Sequence, residues 1–354
     1  MIKNFSESNS VSSAAASAKK SGLSAAIKTK ALNEYALFFA LIAFAGALAF
    51  GKGYSYAVTD GVKLWAASVL PALLPYFFIT ALLSELSVTA KLSDKLSPPV
   101  RKLFNLNGNA GFAFVMSALS GYPVGAKLVA DLKTNGCLSD AESVRAAAIC
   151  SLPSPMFIIA GVGGIMFNDK TFGACVLACN VLAALFTGVI FSFYKKTRNK
   201  AAAQRPDHCR RPESDGGNPL YDGIYSAVIS VLVVGGLIAV FTVIAEILND
   251  AGALKPVKSL IGVFTDDENV KNGISAGLLE MTGGLKALSS GGKTFLSLPS
   301  AAAISGFGGA CVLVQSAAYL KSARIKTAPF LAAKALEAVL SFCFGLLFSL
   351  AFFK

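Results

Sequence analysis

The chain has 354 residues, of which 54% are apolar and only 15% are charged, and its mean hydropathy is +0.61. This composition leaves too little polar surface for a soluble globule of that length, and it predicts an all-α, polytopic membrane protein. The net charge of +12 does not indicate nucleic-acid binding, because the basic residues cluster outside the apolar runs and no motif for reading DNA or RNA accompanies them.

Five regions are predicted along the chain. Residues 1–30 are expected to be a disordered cytoplasmic tail, and residues 31–61 a first transmembrane helix with an external loop. Residues 62–194 form a first repeat, residues 195–220 a basic cytoplasmic linker, and residues 221–354 a second repeat. The Lys and Arg residues of the tail and the linker place both in the cytoplasm by the positive-inside rule.

The first repeat opens with the apolar span Val62–Leu83, which Pro71 and Pro75 are expected to interrupt. Further along, the stretch Ser120–Lys127 breaks an apolar run with one proline and two glycines, which should unwind the backbone. Irregular backbone at membrane depth survives only where protein buries it or where it lines a cavity. The two short helices on either side therefore predict a re-entrant hairpin whose tip is a binding site.

A second break follows at Ser151–Pro155, inside the apolar stretch 140–166 that Ser139 and Glu142 begin with a capping-box pattern. This stretch is predicted to be a span with an unwound middle. Phe172–Phe193 is an ordinary span, in which Asn180 is expected to hold helices together.

The second repeat shows the same order of features. Ile224–Leu248 is a span, Gly277–Gly284 interrupts a hairpin, Ala301–Leu320 is broken at Gly306–Gly309, and Pro329–Phe353 is the last span. The charge pattern gives the two repeats opposite orientations. Inverted repeats with discontinuous helices that meet near the bilayer midplane are typical of secondary transporters.

The four breaks supply the candidate solute-binding residues. Lys127 and helix N-termini would attract an anionic or strongly polar solute. Glu280 is either a site for a coupling ion, Na⁺ or H⁺, or an interfacial charge, and Gln315 either contacts solute or joins two helices. We expect no catalytic residue, metal site or cofactor. The full set is Ser120, Gly121, Tyr122, Pro123, Gly125, Lys127, Ser151, Ser154, Glu280, Thr282, Gly306, Gly308, Gly309 and Gln315.

The motifs at these breaks also resemble a known family. Gly121–Lys127, Ser154–Phe157, Gly277–Gly284 and Gly306–Gly309 with Gln315 are similar to the YlbJ (SpoVV) family of sporulation integral membrane proteins, whose domains resemble the nucleoside-recognition, or Gate, domains of concentrative nucleoside transporters. The likeness covers about residues 60–350. The family pattern often carries an Asn pair where this chain has Ser151-Leu-Pro153, and this departure bears on the identity of the substrate.

The resemblance implies a multi-pass protein of the bacterial cell membrane, in the outer forespore membrane, that moves dipicolinate from the mother cell toward the forespore. A nucleoside or nucleobase transporter is the alternative that the Gate likeness leaves open, and a homo-oligomer is also left open. An intramembrane serine hydrolase built on Ser120 is disfavoured, because the single histidine, His208, lies in the linker and not in a span. The lipid bilayer is the other expected partner.

Overall fold

The computed structural model describes residues 41–42, 44–46, 48–49, 53–85, 88–195 and 218–352. The chain divides into the units Met1–Ser55 and Tyr56–Lys354. In the first unit, the described residues between 41 and 49 are helical. The predicted tail, most of the first transmembrane helix and nearly all of the basic linker lie outside the described residues.

The second unit begins with one continuous helical rod. Helix α1 (Ser55–Leu64) passes through a π-helical segment, π1 (Trp65–Val69), into α2 (Leu70–Glu85). Two expectations were therefore wrong: residues 55–60, in the external loop predicted at 51–60, are helical, and the prolines do not interrupt the span. Pro71 lies two residues after the wider π-helical turn, and such a turn accommodates a residue that lacks a backbone donor.

Two short helices form the first hairpin. After α3 (Val88–Phe104) come α4 (Gly108–Ser120) and α5 (Val124–Thr134), which are separated by Gly121–Pro123. The amide oxygen of Asn107 accepts a hydrogen bond from the backbone N–H of Ala110 at 3.2 Å and so caps α4. The predicted break in the apolar run is confirmed.

The second break is also confirmed. Helix α6 (Asp140–Ile149) begins at a capping box in which Ser139 and Glu142 bond to each other's backbone N–H groups. Residues 151–154 are non-helical, and the chain resumes in a π-helical segment, π2 (Phe157–Met166). Asp169 then caps α7 (Lys170–Phe191).

The second half contains a long helix, a hairpin, a broken helix and a last span. These are α8 (Pro219–Asp250), α9 (Lys255–Gly262), the hairpin α10 (Glu268–Gly277) and α11 (Met281–Ser289), the broken pair α12 (Ser297–Phe307) and α13 (Gly309–Ser322), and α14 (Thr327–Phe352). Both predicted breaks in this half are present, at Leu278–Glu280 and at Gly308.

Five of the described helical segments are long and apolar enough to cross a bilayer: Ser55–Leu83, Lys170–Phe191, Leu220–Asp250, Ser297–Ser322 and Thr327–Ala351. The broken helix α12–α13 is 72% buried over its apolar window, against 33% to 39% for the other four, so it lies at the centre of the bundle. All regular elements among the described residues are helices, which confirms an all-α, polytopic membrane protein. The inverted orientation of the two repeats stays a prediction.

Candidate functional site

The first and second breaks are in direct contact. The backbone N–H of Tyr122 donates to the carbonyl of Leu152 at 2.9 Å. Gly121 has φ +82°, and a Cβ at this position would lie 2.6 Å from the backbone nitrogen of Ser154. Only glycine combines this conformation with so close an approach of two backbones. The tip of the α4–α5 hairpin is therefore fixed against the unwound segment between α6 and π2.

The third and fourth breaks meet in the same way. The backbone N–H groups of Ala310 and Cys311 donate to the carbonyls of Leu278 and Leu279, at 2.8 and 3.0 Å. Gly309 has φ +74°, and a Cβ there would lie 2.8 Å from the carbonyl oxygen of Gly277. The N-terminus of α13 thus supplies donors to backbone carbonyls that the second hairpin leaves free.

Tyr122 joins the two pairs of breaks. Its hydroxyl donates to the carbonyl of Ser305, on α12, at 2.9 Å and lies 2.7 Å from the sulfur of Met281, at the start of α11. The ring is buried, with 6% of the residue exposed. One side chain at the first break therefore contacts both the third and the fourth.

A cavity lies where the four breaks meet, with about 430 Å³ of space between atoms, including the part that opens outward. Its wall is mostly apolar with a few polar groups, which is the composition typical of small-molecule sites. Five predicted site residues line it, namely Tyr122, Ser154, Glu280, Thr282 and Gln315. The other lining residues are Val69, Leu73, Phe157, Val234, Ile238, Met281, Cys311 and Val312.

Glu280 is the only charged residue among those lining residues. It is the N-cap of α11: its Oε1 accepts from the backbone N–H of Thr282 at 2.8 Å, and its Oε2 accepts from that of Gly283. Both carboxylate oxygens therefore meet the positive end of a helix, an arrangement that stabilises a buried negative charge. Gln315 has a weak contact with the sulfur of Cys311 at 3.5 Å, so the amide can still bind a solute.

Two predicted residues point away from the cavity. Lys127 is half-buried, and its Nζ donates to the hydroxyl of Ser226, on α8, at 3.3 Å. The long side chain of Lys127 runs along the neighbouring helix, and the residue does not line the cavity. The hydroxyl of Ser120 contacts that of Thr80 and donates to the carbonyl of Tyr76 at 3.3 Å. Neither partner of Ser120 is a base that could activate a nucleophile.

The remaining predicted residues do not line the cavity but lie at the turns and close contacts of the breaks. A Cβ at Gly125 would lie 1.8 Å from the carbonyl oxygen of Cys150, and one at Gly306 would lie 2.6 Å from the hydroxyl of Ser341. Pro123 and Gly308 form the turns of their breaks. The hydroxyl of Ser151 is buried and has no hydrogen-bond partner in the part of the chain that the structure describes.

Asn180 joins three helices, as the sequence predicted. Its amide nitrogen donates to the hydroxyl of Ser305, on α12, at 2.8 Å, and its oxygen accepts from the hydroxyl of Ser341, on α14, at 3.3 Å. A buried side chain amide that is satisfied in this way fixes the relative position of α7, α12 and α14.

The sequence analysis missed a charged pair in the last span. Lys334 and Glu337, on α14, are both fully buried, and their side chains form an ion pair of 2.8 Å. Lys334 Nζ also donates to the carbonyl of Ser151, in the second break, at 2.8 Å. A Lys and a Glu three residues apart in an otherwise apolar span were a visible signal, because ionisable residues at membrane depth are rare and usually functional.

This fold and site define a multi-pass integral membrane protein with a cavity inside its helical bundle. Residues 66–170, which include the first two breaks, match the nucleoside-recognition (Gate) family. The match covers five residues of the cavity wall, Val69, Leu73, Tyr122, Ser154 and Phe157, and none of the second half.

The sporulation integral membrane protein YlbJ of Bacillus subtilis (strain 168) is similar to the chain over 310 residues, at 28% identity. The alignment covers 81% of this chain and 75% of the relative. Together with the Gate match, it confirms the resemblance that the motifs predicted. No solved structure matches the chain.

Proposed function

We propose that the protein is a membrane transporter that carries a small polar solute through the cavity at the four breaks. The observation that carries this proposal is the convergence of all four breaks, through Tyr122, on one cavity in the centre of the bundle. Interrupted helices that converge on a cavity are the usual binding site of secondary transporters. The Gate match, to a nucleoside-recognition family, supports recognition of a small solute, and the relative is named an integral membrane protein.

Dipicolinate is the substrate that we propose, moved from the mother cell toward the forespore across the outer forespore membrane. The support is the similarity to a sporulation membrane protein. An anion that enters beside Glu280 meets a like charge, so a cation has to accompany it or be supplied by the protein. Na⁺ or H⁺ bound at Glu280 would serve as that coupling ion.

A nucleoside or nucleobase is the second candidate. The Gate match favours it, and so does the chemistry of the wall. Glu280 offers acceptors, and Gln315 and Ser154 offer both donors and acceptors, which suits the amide-like edge of a nucleobase. A neutral base needs no positive charge, and none of the lining residues is basic.

Transport by purified protein in liposomes tests the proposal. Liposomes that contain Tb³⁺ become luminescent when dipicolinate enters, and labelled uridine measures the second candidate in the same preparation. We expect saturable dipicolinate entry that unlabelled dipicolinate analogues inhibit. Uridine uptake without dipicolinate entry would overturn the choice of substrate. The proposed function itself would be overturned if neither solute crossed the membrane in either direction, with Na⁺ or a pH gradient present.

A matched pair of variants links transport to the cavity. Val312 lines the cavity on α13, whereas Val314, two residues further along the same helix, is 53% exposed. Val312→Trp should fill the cavity and abolish entry, while Val314→Trp should leave entry close to that of the unaltered protein. Equal effects of the two substitutions would show that transport does not depend on this cavity.

A further inference from the structure

Packing alone does not explain why the charged residues Lys334 and Glu337 are buried in an apolar span. Lys334 is the only basic residue among the described ones that is fully buried; the next, Arg145, is 5% exposed and donates to the carbonyls of Tyr194 and Asn105. A buried ion pair is often no more stabilising than apolar residues of similar volume, because both charges lose their hydration. A pair placed inside an apolar span therefore indicates a function.

Lys334 lies directly behind the cavity wall. Its Nζ is 5.6 Å from the centre of the Tyr122 ring, whose other surroundings include the cavity. The same Nζ binds the carbonyl of Ser151, three residues before Ser154, which also lines the cavity. The ammonium thus has a carboxylate, a carbonyl and an aromatic face around it, and the aromatic face belongs to a residue that lines the cavity.

Unpartnered polar atoms occur on both partners of Lys334, which are the segment of the second break and Glu337. The hydroxyls of Ser151 and Ser154 and the Oε1 atom of Glu337 are buried and have no hydrogen-bond partner among the described residues. Buried polar groups without partners are uncommon, and each is costly unless a water, an ion or a ligand satisfies it. Lys334 binds the carbonyl of Ser151, so both hydroxyls belong to the non-helical segment that the ammonium contacts. Hydroxyl donors and an ammonium are groups that bind a carboxylate.

We propose that Lys334 is the residue that makes the transporter select carboxylate-bearing solutes, and that Glu337 is an internal counter-ion that occupies Lys334 when no solute carboxylate is present. This inference rests on the proposed transport function and deepens it. When the Tyr122 ring turns aside, a solute carboxylate reaches Lys334 and the hydroxyls of Ser151 and Ser154. The solute and Glu337 then compete for one ammonium, which supplies the positive charge that the cavity lining itself lacks.

The test compares an anion with a neutral molecule of the same shape. Dipicolinate and pyridine-2,6-dicarboxamide share a ring and a substitution pattern and differ in charge. Their affinities are measured by calorimetry on the full-length protein in detergent, for the unaltered chain, for Glu337→Gln, for the double variant Lys334→Gln/Glu337→Gln, and for Lys326→Gln as a control. Lys326 is an exposed lysine just before α14.

The double variant removes both charges and keeps hydrogen-bonding groups at both positions, so no buried charge is left unpaired. We expect the unaltered protein and Lys326→Gln to prefer dipicolinate over the diamide by about tenfold or more, and the double variant to lose this preference. Glu337→Gln removes the competing carboxylate and should bind dipicolinate more tightly than the unaltered protein does, by roughly tenfold.

The outcomes separate the two proposals. An unaltered preference in the double variant, or a Glu337→Gln protein that binds dipicolinate no more tightly than the unaltered one, would overturn the role of Lys334 while leaving transport intact. If the unaltered protein binds uridine but not dipicolinate, the proposed substrate is wrong, and the carboxylate-selecting role of Lys334 is overturned with it.

Discussion

Replacing Gly309 with alanine should separate the third break from the fourth. Gly309 has φ +74°, where a non-glycine residue costs about 1–2 kcal/mol. The new Cβ would also lie 2.8 Å from the carbonyl oxygen of Gly277 and 3.2 Å from that of Leu279. Both are backbone atoms and cannot turn aside, so α13 has to move away from the hairpin. The hydrogen bonds that join them, each worth about 0.5–1.5 kcal/mol, would weaken or break.

The chain offers a control for the backbone strain alone. Gly292 has φ +72°, and nothing lies within 4 Å of a Cβ built there. Gly292→Ala should therefore cost about 1–2 kcal/mol, whereas Gly309→Ala should cost roughly 2–5 kcal/mol. Gly236→Ala, in α8 with open space around it, should be neutral or slightly stabilising.

Thermal melting of the detergent-purified proteins, together with dipicolinate entry into liposomes, measures these effects. Gly309→Ala should melt lowest and lose transport, and the two control variants should keep transport. The reasoning would be refuted if Gly309→Ala melted at the same temperature as Gly292→Ala, because the contact between the two breaks would then contribute nothing.

Substitutions at three further positions test individual contacts. Tyr122→Phe removes the hydroxyl that bonds to α12 and should lower stability by about 1–3 kcal/mol in a melting assay; an unchanged melting temperature would contradict that bond. Glu280→Gln leaves one acceptor for two backbone N–H groups, so a loss of about 1–3 kcal/mol is expected, and a stabilised variant would argue against the cap. Hydrogen bonds from Lys293 and from backbone N–H groups hold the pKa of Asp169 below its usual range. The stability that ionised Asp169 contributes should therefore be complete at neutral pH and be lost as the pH falls through that lowered pKa. Asp169→Asn keeps the cap of α7 but loses the ion pair with Lys293, so it should lower stability by less than about 1 kcal/mol. Asp169→Ala also loses the cap and should cost about 0.5–2 kcal/mol more. Equal losses in the two variants would show that the cap contributes nothing.

The positions of the four breaks could be predicted from the sequence because the signal is local. A proline and two glycines within Ser120–Lys127, or glycines at 306, 308 and 309, cannot continue an apolar helix unchanged. The structure places each break within a few residues of the expected position. That the four breaks contact one another was an expectation from repeat symmetry and not from any pairwise signal.

Pro71 shows where a local rule failed. Its missing donor and its ring predict an interruption, but the helix remains continuous, because the wider π-helical turn Trp65–Val69 accommodates both. Such a turn is selected by the packing of the helix against its neighbours, which composition does not reveal.

The choice between two lysines shows the same limit. Lys127 follows a conspicuous break, so the sequence favoured it as the anion-binding group. Lys334 and Glu337 were a visible signal in the last span, but no proline or glycine break accompanies them, and they were not selected. Which lysine approaches the cavity depends on the rotation of α5 and α14 about their axes. That rotation follows from tertiary packing, which places Lys127 against α8 and Lys334 behind Tyr122.

Site-specific photo-crosslinking from position 122 tests the convergence of the breaks most directly. In Tyr122→p-benzoylphenylalanine, irradiation followed by peptide mass spectrometry should give cross-links to peptides that contain Met281 or Ser305, more than 150 positions away in sequence. The same probe at Leu119, which is 40% exposed on α4, should react mainly with lipid. Cross-links from position 122 that are confined to lipid or to neighbouring residues of α4 and α5 would contradict a shared central cavity.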